Sequence, residues 1–144
     1  MSETVSDQVP PPRFMPPVND RNRHFWTGGA FGELRMLHCQ VCRFWIHPPV
    51  GTCPKCGATT LAPEPTSGIG TVFTFTINHH PYNPAVPVPY VIAVVELDDQ
   101  RDLRFTTNVV NCDPEEVTIG MPVRVLFEHH EDLYVPVFEP IGPA

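Results

Sequence analysis

The sequence predicts a mainly β chain: a short helix, then a four-cysteine ribbon, then a small five-stranded barrel. Three observations carry this. Two Cys-x-x-Cys pairs stand ten residues apart, Cys39/Cys42 and Cys53/Cys56. Beyond Gly68, five segments show the alternation or the continuous apolar run of β-strands. And 19 of the 144 residues are proline, which breaks helices and interrupts central strands, so short strands and ordered loops are expected.

Residues 1–17 combine Ser, Pro and charge with few large apolar groups, and are expected to be a disordered arm. Residues 18–32 form the helical region. Asn19 or Asp20 can cap a short helix carrying Phe25 and Trp26, and Gly28 and Gly29 would end it. Phe25 and Trp26 are a bulky pair on a helix too short to be stable alone, so they need a surface. That surface is either the chain's own body or a partner. The ribbon occupies 33–65, with Leu34, Met36 and Leu37 leading into the first cysteine pair and Trp45 and Ile46 returning from it.

The barrel occupies 66–144. Phe73, Phe75 and Ile77 alternate with Thr74 and Thr76. Tyr90 to Leu97 reads as a more buried strand. Leu103, Phe105, Thr107 and Val109 make a third strand, Val123, Val125 and Phe127 a fourth, and Leu133, Val135 and Val137 a fifth. Between the third and fourth, Asp113 can cap a turn with Pro114 at its first position and Glu116 three residues on, and Gly120 stops it. Five strands with a short helical turn in that place is the element order of an OB-fold.

The cysteine spacing has a direct chemical reading. Two thiolates separated by two residues turn toward one point on a tight loop, and two such loops complete a tetrahedron around zinc. Gly57 supplies the permissive backbone after the second pair, whereas Arg43 holds the matching place after the first. Four thiolates leave no open position, so Zn2+ bound by Cys39, Cys42, Cys53 and Cys56 is structural rather than catalytic. Iron uses the same ligand set, and sequence alone does not choose between them. His38 and His47 flank the site as substitute ligands.

Other chemistry is sparse. Cys112 stands alone beside Asp113 and reads as a buried thiol, with a reactive nucleophile as the alternative. His79-His80 and His129-His130 follow strands and read as exposed loop residues. The stiff loop from Pro81 to Pro89, with Tyr82 and Tyr90, either bridges two strands or presses on a partner. Tyr82 and Tyr90 join Phe25 and Trp26 as candidate partner-binding residues.

Formal net charge is −7, which repels a phosphate backbone. No apolar run is long enough to cross a membrane, and the first residues lack a secretory signal pattern, so a cytoplasmic location is expected. Thiols are reduced there, which favours metal ligation over disulfides.

In order, Phe25-Trp26, Gly32-Glu33-Leu34, the two cysteine pairs around Pro48-Pro49, Ser67-Gly68-Ile69-Gly70-Thr71-Val72, Pro89-Tyr90-Val91, Val95-Glu96-Leu97, Asn111-Cys112-Asp113-Pro114, Ile119-Gly120-Met121-Pro122-Val123 and Pro136-Val137-Phe138 resemble the acyl-CoA-associated family long known as domain of unknown function thirty-five. The departures are Arg43, where a glycine is common, and His79-His80 in a variable loop. The resemblance implies a short N-terminal helix, a rubredoxin-like zinc ribbon and a C-terminal OB-fold. It also implies a non-catalytic accessory subunit beside a thiolase-like acyl-CoA enzyme. Lipid or steroid side-chain metabolism is the implied setting, and the subunit would stabilise the partner and help guide the CoA thioester. The alternative is a nucleic-acid-binding module, since ribbons and OB-folds both serve that purpose. An enzyme working through Cys112 or a histidine pair is the third reading.

Overall fold

The computed structural model describes residues 5–6 and 8–142. Its one α-helix among the described residues, α1 (Arg23–Thr27), is entered through a turn built on Asn19. The Asn19 Oδ1 accepts the backbone N–H groups of Arg21 at 2.9 Å and Asn22 at 3.0 Å, so Asn19 closes the preceding turn; the helix N-cap is Asn22, whose side chain makes no capping bond, and neither Asn19 nor Asp20 caps α1. A 3-10 turn, Gly28–Phe31, continues from the helix. Gly28 and Gly29 therefore do more than stop α1. Both are buried, and a Cβ on Gly29 would fall 2.4 Å from the Cβ of Tyr134 and 2.7 Å from the Phe127 ring. Glycine lets this backbone lie directly on the barrel.

The ribbon is a three-stranded sheet in the order β2-β1-β3, formed by β1 (Arg35–Cys39), β2 (Trp45–Ile46) and β3 (Leu61–Pro65). Sequence patterning does not reveal β3, whose five residues include Pro63 and Pro65. It is tolerated because it lies at the sheet edge, where a missing N–H costs no ladder bond.

Five strands close the barrel in the order β4-β5-β6-β8-β7: β4 (Ile69–Asn78), β5 (Tyr90–Leu97), β6 (Arg104–Val109), β7 (Pro122–His130) and β8 (Leu133–Pro140). All neighbours are antiparallel except β6 and β8, which meet in parallel at Val109 and Phe138. This is the OB-fold predicted from the element order. The turn between β6 and β7 is a 3-10 turn, Pro114–Glu116, and the Asp113 side chain caps it by accepting the Glu115 N–H at 2.9 Å.

Strand alternation holds with one correction. The β4–β5 register shifts between Val72 and Thr74, so Phe73 is a bulge residue. Val72, Phe75 and Ile77 all face the core, while Phe73 is turned out and is 43% exposed. The Arg104 guanidinium covers the Phe73 ring at 3.7 Å.

Two apolar cores result. The larger fills the barrel with Val72, Val91, Val95, Leu97, Val123, Phe127 and Phe138, and extends to Phe25, Leu34 and Met36. The smaller is the ribbon's own, with Leu37, Cys39, Ile46 and Cys53 as its buried members. The Gln100 side chain joins the two bodies. Its Oε1 accepts the Trp45 N–H at 2.8 Å and its Nε2 donates to the Trp45 carbonyl at 2.9 Å, as a neighbouring strand would.

Part of the arm predicted to be disordered, residues 1–4 and 7, lies outside the described residues. The rest follows the barrel instead. Val5 bridges to Phe127 in parallel. Arg13 donates to Glu128 at 2.6 Å and to Asn108 at 2.8 Å. Composition does not reveal this, because the anchor is a carboxylate buried more than a hundred residues away in sequence.

Candidate metal centre

Each cysteine pair sits on a turn of the same construction. In the first, the Arg43 N–H donates to the Cys39 carbonyl at 3.0 Å and the Cys39 N–H to the Phe44 carbonyl at 2.9 Å. In the second, the Gly57 N–H donates to the Cys53 carbonyl and the Cys53 N–H to the Ala58 carbonyl, both at 2.9 Å. Both turns need a left-handed residue. Gly57 takes it with φ of 80°, and Arg43 takes it with φ of 66° despite its side chain. The first turn thus keeps the same geometry without a glycine.

The two turns bring the Sγ atoms of Cys39, Cys42, Cys53 and Cys56 to within 4.8 Å of one another. Cys39 and Cys56 stand 3.7 Å apart, as do Cys42 and Cys53. A tetrahedral site with metal–sulfur bonds of about 2.3 Å requires sulfurs about 3.8 Å apart, so the cluster fits a structural metal. Backbone N–H groups already point at the sulfurs: those of Val41 and Cys42 at Cys39, and that of Lys55 at Cys53. The Cys42 N–H is the main reason the Cys39 thiol is held down to about 6, whereas burial pushes Cys42 up to about 12. A bound dication would replace the proton that Cys42 otherwise keeps. Cys39 and Cys53 are buried and Cys56 is exposed, so the centre lies at the ribbon surface.

Neither flanking histidine joins the cluster. His38 stacks on Trp45 with ring centroids 3.7 Å apart, and its Nε2 donates to the Arg43 carbonyl at 2.9 Å. It therefore braces the first turn. Glu64 does the same from β3, accepting from Gln40 and Arg43. The Gln40 hydrogen bond, with Arg43 and His38 adding to it, holds the Glu64 carboxyl down to about 2. Sequence reading gives no sign of Glu64, because its strand is masked by prolines. His47 stacks on Phe25 at 4.9 Å, and burial, helped by the charge of His24, holds it down to about 4.

The remaining candidates are dispersed. Among the described residues, no second group of three or more His, Cys, Asp or Glu side chains is close enough to share a metal. His79 and His80 are exposed. His130 is not an exposed loop residue: it is half-buried at the end of β7, with its Nε2 3.1 Å from Glu128. His129 stacks on Tyr134 at 4.2 Å. Cys112 packs against the barrel core, and burial, then Glu116 and Asp113, raise its thiol, which disfavours a nucleophilic thiolate. Phe25, one of the four partner-binding candidates, is 5% exposed and lies against Trp26, His47 and Phe105 of its own chain. Trp26 and Tyr90 are half-buried, and Tyr82 is 77% exposed.

Family models match both bodies. The ChsH2 rubredoxin-like zinc ribbon domain matches residues 26–62 and the ChsH2 C-terminal OB-fold domain matches residues 64–128. The chain is 34% identical to the "3-oxo-4,17-pregnadiene-20-carboxyl-CoA hydratase alpha subunit" of Mycobacterium tuberculosis, over 95% of this chain and 43% of that protein. It is 36% identical to the "Probable enoyl-CoA hydratase alpha subunit" of Thermomonospora curvata, over 88% of this chain and 40% of that protein. The chain thus spans about two fifths of the length of these two relatives. A "DUF35 domain-containing scaffold protein" of Methanocaldococcus jannaschii is 38% identical over 63% of this chain and 64% of its own length. Among solved structures, a chain of the "Ltp2-ChsH2(DUF35) aldolase" is similar with a TM-score of 0.79 and 34% identity, over 88% of this chain and 98% of that one.

Proposed function

We propose, from the premise that the chain belongs to the ChsH2/DUF35 family of zinc-ribbon and OB-fold proteins, that it is a non-catalytic accessory subunit of a thiolase-like acyl-CoA enzyme. The observation that carries this reading is the similarity to the chain of the Ltp2-ChsH2(DUF35) aldolase, which extends over 98% of that chain. The hydratase alpha subunits support an acyl-CoA setting and the scaffold protein supports an accessory role. Steroid or other lipid side-chain metabolism is the setting that fits these relatives, and the cytoplasm is the compartment proposed from the sequence. In this reading the OB barrel helps guide the CoA thioester, and Trp26, Tyr82 and Tyr90 contribute to the partner contact, with Tyr82 the exposed one of the three.

The residues present fit Zn2+ held by Cys39, Cys42, Cys53 and Cys56. Such an ion would hold the two turns together and leave no position for a substrate. The nucleic-acid alternative is less well supported. Arg13, Arg23, Arg35, Arg43, Arg104 and Arg124 are all engaged by carboxylates of the same chain.

Co-expression with the thiolase-fold and hydratase proteins of the native host tests the proposal. One of them is expected to co-purify in fixed ratio, and acyl-CoA turnover is expected from the pair but not from this chain alone. Turnover by the isolated chain that Cys112→Ala abolishes would replace it with the enzyme reading.

A further inference from the structure

From Pro65 to Val95 the chain has no Asp, Glu, Lys or Arg. This stretch runs from the end of β3 through the β4–β5 hairpin and its loop, and the outward residues Thr74 and Thr76 of β4 are exposed. Cross-strand register aligns two rows there. Thr74, Val94 and Thr106 form one, and Thr76, Ile92 and Asn108 the other. Thr74, Thr76 and Thr106 are exposed, and Ile92 and Val94 are half-buried. At one end the rows stop at a charged rim, where Arg104 covers Phe73 and pairs with Asp102 at 2.8 Å.

At the hairpin's other end stands the loop. It is braced by its own bonds: Asn78 Nδ2 donates to the His80 carbonyl at 2.8 Å and the Val86 N–H to the Asn83 carbonyl at 2.9 Å. His80 supports Tyr82 edge-on at 4.4 Å. Beside Asn108, the clamped Arg13 is followed by Phe14, which is 97% exposed. Neutral side chains with paired charges at their edges, and with Tyr82 and Phe14 at the margins, have the composition of a protein interface core, where ions are depleted and aromatics enriched.

We infer that the outer face of β4, β5 and β6, with Tyr82 at its loop, is the surface by which this chain docks on its partner enzyme, and that the partner presents an uncharged surface there. The inference rests on the accessory-subunit reading above. A nucleic acid is disfavoured because the cations at the edges of the face, Arg104 and Arg13, are already paired with Asp102 and Glu128. A second copy is disfavoured because it would bring together two chains of formal charge −7.

The test uses the full chain co-expressed with each thiolase-fold or hydratase protein of its host. Thr76→Glu places a charge in the middle of the face, Tyr82→Ser removes the loop aromatic, and Thr118→Glu is an exposed control elsewhere. Thr76→Glu and Tyr82→Ser are expected to weaken the complex by roughly tenfold or more, with Thr118→Glu unchanged. If Thr76→Glu also lowers the melting temperature, the loop variant decides. Undiminished binding by Tyr82→Ser and a folded Thr76→Glu would overturn the face and leave the accessory reading standing. No partner at all would overturn both. Self-association of the wild type, or binding of a labelled oligothymidylate, that Thr76→Glu abolishes would assign the face to a second copy or to a nucleic acid and overturn the inference.

Discussion

Gly29 and His47 show how single positions hold the helix region to the barrel. A Cβ at Gly29 meets Tyr134 and Phe127 at 2.4–2.8 Å, and both are packed in place. Gly29→Ala is therefore expected to cost roughly 1–3 kcal/mol, measured by urea denaturation. His47 is half-buried between Phe25 and Phe105, and folding holds its ring down to about 4. An unfolded histidine titrates near 6.5, so between about 6.5 and 4 the unfolded state carries more protons. The neutral ring's contribution is fully present above pH 6.5 and is lost as pH falls through that window, by up to about 3 kcal/mol. His24, also lowered, adds in the same direction. His47→Phe keeps the aromatic packing and is expected to flatten the acid limb of stability against pH. Equal slopes in variant and wild type would show that the ring protonates without disturbing the fold.

At the scale of the element, the two cysteine turns form a natural comparison. Both require a left-handed residue, and one of them supplies arginine. Nothing lies within 4 Å of a Cβ at Gly57, so Gly57→Ala isolates the backbone cost, expected at about 1 kcal/mol. Arg43→Gly removes the same strain but also the Arg43–Glu64 pair at 3.2 Å, a half-exposed contact worth about 0–1 kcal/mol. The two effects offset, so Arg43→Gly is expected to leave the thermal transition of the ribbon nearly unchanged while Gly57→Ala lowers it. The turns were legible from residue spacing because their geometry is local. Strand β3 was not, because prolines are excluded from central strands and only the sheet order shows that β3 is at an edge. The bulge at Phe73 was equally hidden, since alternation alone places Phe73 with Phe75 and Ile77, and pairing with β5 turns it out.

For the whole molecule, the decisive feature is the unequal size of the two cores. The barrel core is large and draws in Phe25, Leu34 and Met36, while the ribbon core has four buried members, two of them cysteines of the four-thiol cluster. Removing the metal is therefore expected to unfold the ribbon and leave the barrel folded. Calorimetry of chelator-treated protein would show a lost or lowered first transition with the main one retained. A single unchanged transition would mean that Gln100, Phe25 and His47 hold the ribbon without metal. The same separation accounts for how the candidate site reads in sequence. Its ligands are named by spacing, whereas its supports, His38 and Glu64, are assigned by three-dimensional contact.

By itself, the sequence determined the four-thiol centre, the ribbon-before-barrel order, five strands and the Asp113 cap. Each depends on neighbours a few residues away, where spacing and side-chain chemistry suffice. Tertiary structure alone decided that Phe25 belongs to the chain's own core, that Arg13 clamps the arm to Glu128, and that Gln100 locks the ribbon to the barrel. It also decided that Thr74, Thr76, Ile92, Val94, Thr106 and Asn108 share one neutral face. These depend on which distant strands meet and in which register, and a one-residue shift of register would turn every such side chain to the opposite side.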